Sequence, residues 1–224
     1  MKKLLAALLA IFGVSSAAQP QSKVEMVDAK SIRYTMPTVA ADSLEFTVPT
    51  RKSFEGAPQF HEDEWAKLEF FPRSRLDEIK KLLAEYKLFE KAHRGHRGQY
   101  GWDQIYARRI TRHPIIFGPG AADRLASALD AIPANAPILL TSSSALGQVK
   151  GGFTVPLAPK INLYGLNNES GITVLGAHLD SDDLVLTKAF AKLSAAYDLI
   201  FVDWRNQMVL VGVNSNGDVD VWRP

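Results

Sequence analysis

Cysteine is absent from the 224-residue chain. Its absence excludes disulfide bonds, thiol catalysis and metal sites built on thiolates, and it also excludes a lipid anchor on an N-terminal cysteine. Small exported domains often depend on disulfides, but a chain of this length can bury roughly 70% of its unfolded surface without them. We therefore expect an apolar core to stabilise the fold without covalent cross-links.

Several catalytic and cofactor-binding patterns are also missing. The sequence contains no Gly-x-Ser-x-Gly elbow, no Walker loop and no dinucleotide-binding glycine pattern. His61 begins a short acidic segment, but Trp65 stands where the zinc-protease motif requires a second His, so an acidic helix start explains the segment better. The hydroxyls of residues 141–144 are explained by a polar loop rather than a catalytic serine. The sequence therefore predicts no cofactor and favours a binding protein over an enzyme.

The first residues follow the pattern of a cleavable export signal. Two lysines precede an apolar run at residues 4–14, and the small residues Ser16 and Ala18 occupy the −3 and −1 positions before Gln19. The apolar run is much shorter than the roughly 20 residues that span a bilayer. The sequence thus predicts a signal peptide at residues 1–18 and a mature periplasmic or secreted protein.

Charge is almost balanced along the chain. Lys and Arg number 26 against 24 Asp and Glu, and the two excess cations belong to the predicted signal peptide. A neutral mature chain argues against general binding to nucleic acid or to a membrane surface. We expect another envelope protein or an anionic ligand as the partner, no nucleic acid and no membrane span after cleavage. An inhibitor, an immunity protein or an accessory subunit would fit, and the oligomeric state is open.

Hydrophobic periodicity divides the chain into helices and strands. Helical spacing predicts three main helices at residues 75–92, 119–132 and 181–197, the first of them capped by Ser74. β-Prone segments predict strands at residues 31–36, 44–48, 138–141, 153–156, 161–164, 172–177, 199–204, 208–214 and 219–222. The last three strands form a meander, closed by the hairpin signal Asn216-Gly217. These elements predict a single α+β domain with a mixed or largely antiparallel sheet, in which residues 19–60 form an N-terminal β subdomain in an alternative interpretation.

Positive charge is concentrated in residues 91–113, which we call the basic stretch. Asp103 is the single acid among its Lys and Arg residues, and aromatic residues are interleaved with them. Arg beside aromatic rings suits phosphate, carboxylate or glycan recognition through bidentate hydrogen bonds and stacking. The candidate binding residues are Arg94, Arg97, Tyr100, Trp102, Arg108, Arg109 and Arg112. A recognition role requires their charges to face solvent together, whereas the alternative is a loop whose cations pair with acids of neighbouring elements.

A histidine and three aspartates follow a predicted strand at residues 178–183. Such side chains can bind a divalent cation. Capping of the next helix explains the acids better, because the helix dipole favours negative charge in its first turn. We therefore predict no metal site. The alternative to a binding protein is a periplasmic hydrolase that holds an anionic substrate with the basic stretch and uses His178, Asp180 and Asp183 as catalytic residues.

Overall fold

The structure, a computed structural model, describes residues 37–94, 97–98, 101–102, 104–180 and 184–224, with only the backbone described at 97, 98 and 101. All of them belong to one compact unit, Arg33–Pro224. The predicted signal peptide and strand 31–36 lie outside the described residues. So do the candidate site residues Tyr100 and Asp183.

In the described residues, three α-helices and a series of short and long strands follow one another. The helices are α1 (Leu76–His93), α2 (Ala121–Ala128) and α3 (Leu184–Tyr197). The strands are β1 (Thr38–Ala40), β2 (Phe46–Thr47), β3 (Gln59–His61), β4 (Leu68–Pro72), β5 (Arg97–Gly98), β6 (Gly101–Trp102), β7 (Tyr106–Arg108), β8 (Ile116–Phe117), β9 (Ile138–Leu140), β10 (Ala145–Val149), β11 (Gly152–Ala158), β12 (Ile161–Asn168), β13 (Gly171–Leu179), β14 (Leu199–Asp203), β15 (Met208–Val213) and β16 (Val219–Trp222).

The main sheet is antiparallel. Its strand order is β11-β12-β13-β4-β14-β15-β16, and β8 pairs with the start of β13. The last three strands form the predicted meander. A smaller sheet has the order β2-β10-β9-β3, in which β3 and β9 are parallel, and β1 pairs in parallel with β7. The prediction of an α+β fold with three helices and mixed, largely antiparallel sheets is confirmed.

Strand β4 lies between β13 and β14 and is antiparallel to both. Strands β13 and β14 therefore run in the same direction, and α3 connects them. The apolar face of α3, with Phe190 and Leu193, packs with Phe70 and Phe201 of the sheet in the largest core cluster. The carboxyl ends of β13 and β14 and the amino end of β4 meet at one edge of the sheet, next to the beginning of α3.

The beginning of α1 and the end of α2 differ from the predictions. A 3₁₀ turn at Arg73–Arg75 precedes α1, so Ser74 lies inside that turn and does not cap the helix; its N-cap, Arg75, makes no side-chain capping bond. Helix α2 ends before residue 132 because Asp130 adopts a left-handed conformation with φ 56°.

Within the described ranges, no helix combines the length and the apolar composition that crossing a membrane would require.

Candidate ligand-binding cleft

Arg108 of the basic stretch is an interior residue. Its side chain is 2% exposed, and the guanidinium donates to Thr38 Oγ1 at 3.0 Å and to the carbonyl oxygen of Ala66 at 2.9 Å. The same group lies over the ring of Trp204. Burial lowers the pKa of Arg108 to about 10, so the group is still a cation at neutral pH. The expectation that Arg108 faces solvent is wrong, because its charge is used inside the fold.

Arg112 is also held by partners within the fold. Its Nε and Nη2 atoms donate to the carboxylate of Asp42 at 2.8 and 2.6 Å, and its Nη1 atom donates to Glu69. Glu69 is buried, and the indole of Trp204 donates to its second oxygen at 3.3 Å. The expectation of an unpaired, solvent-facing cation is therefore wrong for Arg112 as well.

The remaining candidate residues of the basic stretch differ in how exposed they are to solvent. Arg94 and Arg109 are exposed. Trp102 is 6% exposed, which leaves little of its ring available as a stacking platform. The backbone at Arg97 pairs with Trp102 in the β5–β6 hairpin, but the side chain of Arg97 is outside the described part, as is Tyr100. Recognition by Arg94 and Arg109 stays a prediction.

His61 and Ser142 come together although 81 positions separate them in sequence. Ser142 Oγ lies 3.5 Å from His61 Nε2, and Asp63 Oδ2 lies 3.4 Å from His61 Nδ1. The order serine, histidine, aspartate is that of a hydrolytic triad. However, the backbone N–H of Asp63 donates to His61 Nδ1 at 3.2 Å. The neutral ring then carries its proton on Nε2 and cannot accept the serine proton there.

An oxyanion site is not formed beside this serine either. The backbone N–H groups of Ser143 and Ser144 both donate to Thr141 Oγ1, so they are already occupied. His61 instead caps the 3₁₀ turn Glu62–Glu64, which agrees with the predicted acidic helix start. We assign the arrangement to local structure.

A cleft lies at the sheet edge where β4, β13 and β14 meet α3. It consists of two adjoining hollows of 170 and 200 Å³, which share Leu68, Leu179, Asp203 and Asn206 as walls. We call it the α3 cleft. Neither hollow alone reaches the roughly 300 Å³ typical of small-molecule sites, whereas the two side by side do. Its polar end and its apolar end have different chemistry.

Among the described residues, the polar end contains two pairs of charged or polar side chains and one cation without a partner. Lys67 is buried and forms an ion pair with Glu64 at 2.5 Å. Asp203 is 6% exposed, and its two carboxylate oxygens accept from the backbone N–H and the side-chain amide of Asn206 at 2.8 and 2.7 Å. Arg205 is exposed and has no hydrogen bond or ion pair with any described residue. Its guanidinium therefore offers unused donors at the cleft.

His178 forms part of the wall at the polar end. It is the penultimate residue of β13, and its ring stacks on Phe60 with centroids 4.7 Å apart and planes inclined by 12°. Its Nδ1 atom is buried and has no hydrogen-bond partner among the described residues. Burial lowers the pKa of His178, against the opposing effect of Asp180 and Glu64, so the ring is neutral at neutral pH. A buried nitrogen without a partner lowers the stability of the fold, and because this atom has no exposed surface, a ligand in the cleft does not contact it.

The apolar end lies between α3 and the β14–β15 hairpin. Helical spacing places Leu186 and Phe190 on the face of α3 that meets the sheet, with Thr187 beside them. Alternation along β14 and β15 directs Phe201, Met208 and Leu210 toward the same space. This end can enclose an alkyl or aryl group, while the polar end holds a polar one.

The predicted catalytic set is brought together only in part. His178 lines the cleft, whereas Asp180 is exposed beyond the end of β13 and Asp183 is outside the described residues. No described residue of the basic stretch is among the cleft walls. In the part of the chain that the structure describes, no three His, Asp or Glu side chains converge as metal ligands.

Two larger hollows of 390 Å³ lie elsewhere on the surface. In one of them Lys150 is paired with Glu45 at 2.7 Å, and the Oδ1 atom of Asn167 is buried without a partner. In the other, Arg73 is paired with Asp198 at 2.6 Å. Both are wider depressions whose cations already have partners, so the α3 cleft, with a more closed apolar end and an Arg205 that has no partner among the described residues, is the better site.

Sequence reasoning identified His178 but missed Lys67 and Arg205. Lys67 precedes a strand that the hydrophobic pattern does not predict, and Arg205 lies between two predicted strands. An arginine between two β-prone segments, next to an aspartate at the end of an apolar strand, was the available signal.

In comparisons with known proteins, the chain matches no family model, no curated protein and no solved structure.

Proposed function

We propose that this chain is a binding protein that holds a small amphiphilic ligand in the α3 cleft. The observation that carries the proposal is the guanidinium of Arg205, which has no partner among the described residues, at one end of a cleft whose other end is apolar. Specificity in small-molecule sites comes from a few polar groups placed at the end of an apolar pocket. The export signal expected at residues 1–18 would place this activity outside the cytoplasm.

The described walls of the cleft favour binding over hydrolysis. They contain no serine, and the single hydroxyl side chain, that of Thr187, belongs to the apolar end. Among the cations of the basic stretch, which would hold an anionic substrate in the alternative hydrolase, Arg108 and Arg112 are engaged inside the fold. A binding role requires neither a nucleophile nor those cations.

Filling the apolar end tests the proposal. Thermal unfolding of the full chain is measured with a panel of medium-chain alkyl carboxylates, alcohols and amines. A ligand that binds only the folded state raises the melting temperature. We expect at least one class to do so in the wild type and in Lys188→Phe, but not in Thr187→Phe. Both variants add the same ring to neighbouring positions of α3, and Lys188 is exposed and outside the cleft walls.

An unchanged melting temperature with every compound would contradict the proposal. An equal response of Thr187→Phe and wild type would also contradict it, because binding would then occur elsewhere. Chemical conversion of a bound compound, measured in the same samples, would favour the hydrolase.

A further inference from the structure

We infer that the ligand of the α3 cleft is a carboxylate with an apolar tail, its carboxylate bound by Arg205 and its tail packed against Phe190. The inference rests on the proposed function and adds the chemical class of the ligand. It depends on which hydrogen-bonding groups of the polar end are already occupied.

The acids of the polar end have little capacity left for a cationic or donor-rich head group. Each carboxylate oxygen of Asp203 already accepts from Asn206. Glu64 is paired with Lys67. The formal charges of these acids are balanced by Lys67 and Arg205, so free donors, rather than net charge, decide what the polar end binds.

The donors of the polar end point to an acceptor on the ligand. Arg205 has no described partner, and a guanidinium presents donors in a planar fork that matches a carboxylate. A carboxylate, with about four lone-pair sites, can accept two parallel hydrogen bonds from the guanidinium.

The apolar end determines the other half of the ligand. Leu68, Leu179 and Asn206 line both hollows, so a molecule bound at the polar end meets the apolar end directly. Phe190 and Phe201, both buried, form part of its wall. Each methylene that enters this space is expected to raise affinity about fourfold until the hollow is full.

Calorimetric titration of the full chain with an alkyl carboxylate series tests the inference, with the alcohol, amine and phosphate of equal chain length for comparison. We expect the carboxylate to bind at least tenfold more tightly than the alcohol and the amine. Arg205→Ala should abolish that preference while keeping weak, tail-driven binding. Arg51→Ala, which removes an exposed arginine outside the cleft, should retain the preference.

The outcomes separate the two proposals. Equal affinity for alcohol, amine and carboxylate, or a preference that survives Arg205→Ala, would overturn the carboxylate inference and leave the binding function standing. Tighter binding of the phosphate than of the carboxylate would also overturn it. Absence of binding for every head group, in a protein whose melting temperature shows that it is folded, would overturn both.

Discussion

The guanidinium carbon of Arg108 lies 4.7 Å from the centre of the Trp204 ring, so a cation from the basic stretch packs on an aromatic residue at the end of β14. The same guanidinium reaches the carbonyl oxygen of Ala66, just before β4. One side chain thus connects β7, β4 and β14. This contact explains why a charge that sequence reasoning placed on the surface is required in the interior.

Replacing Arg108 with Ala should destabilise the fold by about 3 kcal/mol. The change leaves Thr38 Oγ1 and the Ala66 carbonyl without their donor and removes the cation above Trp204. Arg109→Ala is the matched control, because that side chain is exposed, and its effect should stay within about 0.5 kcal/mol. Urea unfolding of both variants measures the difference. Equal stability of the two variants would contradict the interior role of Arg108.

Replacing Arg112 with Met should cost about 3–5 kcal/mol, because it leaves Glu69 buried and uncompensated. Burial already raises the pKa of Glu69 against the pull of Arg112 and Arg108. The double variant Glu69→Gln with Arg112→Met should therefore recover part of the loss. Denaturant unfolding of the single and double variants gives the coupling between the two positions.

Lys150→Met serves as the control for Arg112. Lys150 forms an ion pair with Glu45, but both side chains are largely exposed. Loss of that pair should leave the unfolding curve unchanged. A double variant that is less stable than Arg112→Met alone would contradict the proposed dependence on an uncompensated Glu69.

Stability should fall as the pH drops below about 6.5, the ordinary pKa of histidine. Burial lowers the pKa of His178 in the folded chain, while Asp180, Glu64 and Lys67 act on it electrostatically. In the window between the lowered folded pKa and the unfolded pKa, the unfolded chain binds more protons than the folded one. The free energy of unfolding therefore rises with pH across that window.

His178→Phe isolates this contribution because it keeps a ring on Phe60 and cannot titrate. The difference in unfolding free energy between wild type and variant, measured from pH 5 to pH 8, should shift in favour of the wild type as pH rises. A difference that does not change with pH would contradict a lowered pKa at His178.

Gly165→Ala should destabilise the main sheet by about 3 kcal/mol or more. A Cβ atom at this position would lie 1.9 Å from the carbonyl oxygen of Val174 on the neighbouring strand, so β12 and β13 could not keep their spacing. Gly212→Ala is the control in β15, since its Cβ would approach only the end of the Arg73 side chain, at 3.2 Å. Thermal unfolding should show a large loss for the first variant and a small change for the second.

Strands β13 and β14 were predictable because their hydrophobic runs carry the signal of buried strands. Strand β4 was not, because Glu69 interrupts its apolar residues and its partner Arg112 is 43 positions away. A buried charge looks like a surface charge when its partner is distant in sequence. The same reason led the pattern to place Arg108 and Arg112 in solvent.

The candidate site could be predicted only where its residues follow a strong element. His178 stood out because it lies near the end of a long apolar strand. Lys67 and Arg205 lie at the amino end of β4 and in the β14–β15 turn, and they reach the same cleft through the strand order. That order depends on pairings between distant segments, which periodicity within a segment does not report.

Because β4 lies between β13 and β14, a ligand in the α3 cleft would affect amide hydrogen exchange in the central strands of the sheet. Central strands exchange their amide hydrogens only when the fold opens globally, whereas turns exchange through local fluctuations. A ligand held at the ends of all three strands would have to leave before that opening. Its binding energy would thus slow deuterium uptake at the deepest amides of the sheet, and the most protected part of the protein would report whether the cleft is filled.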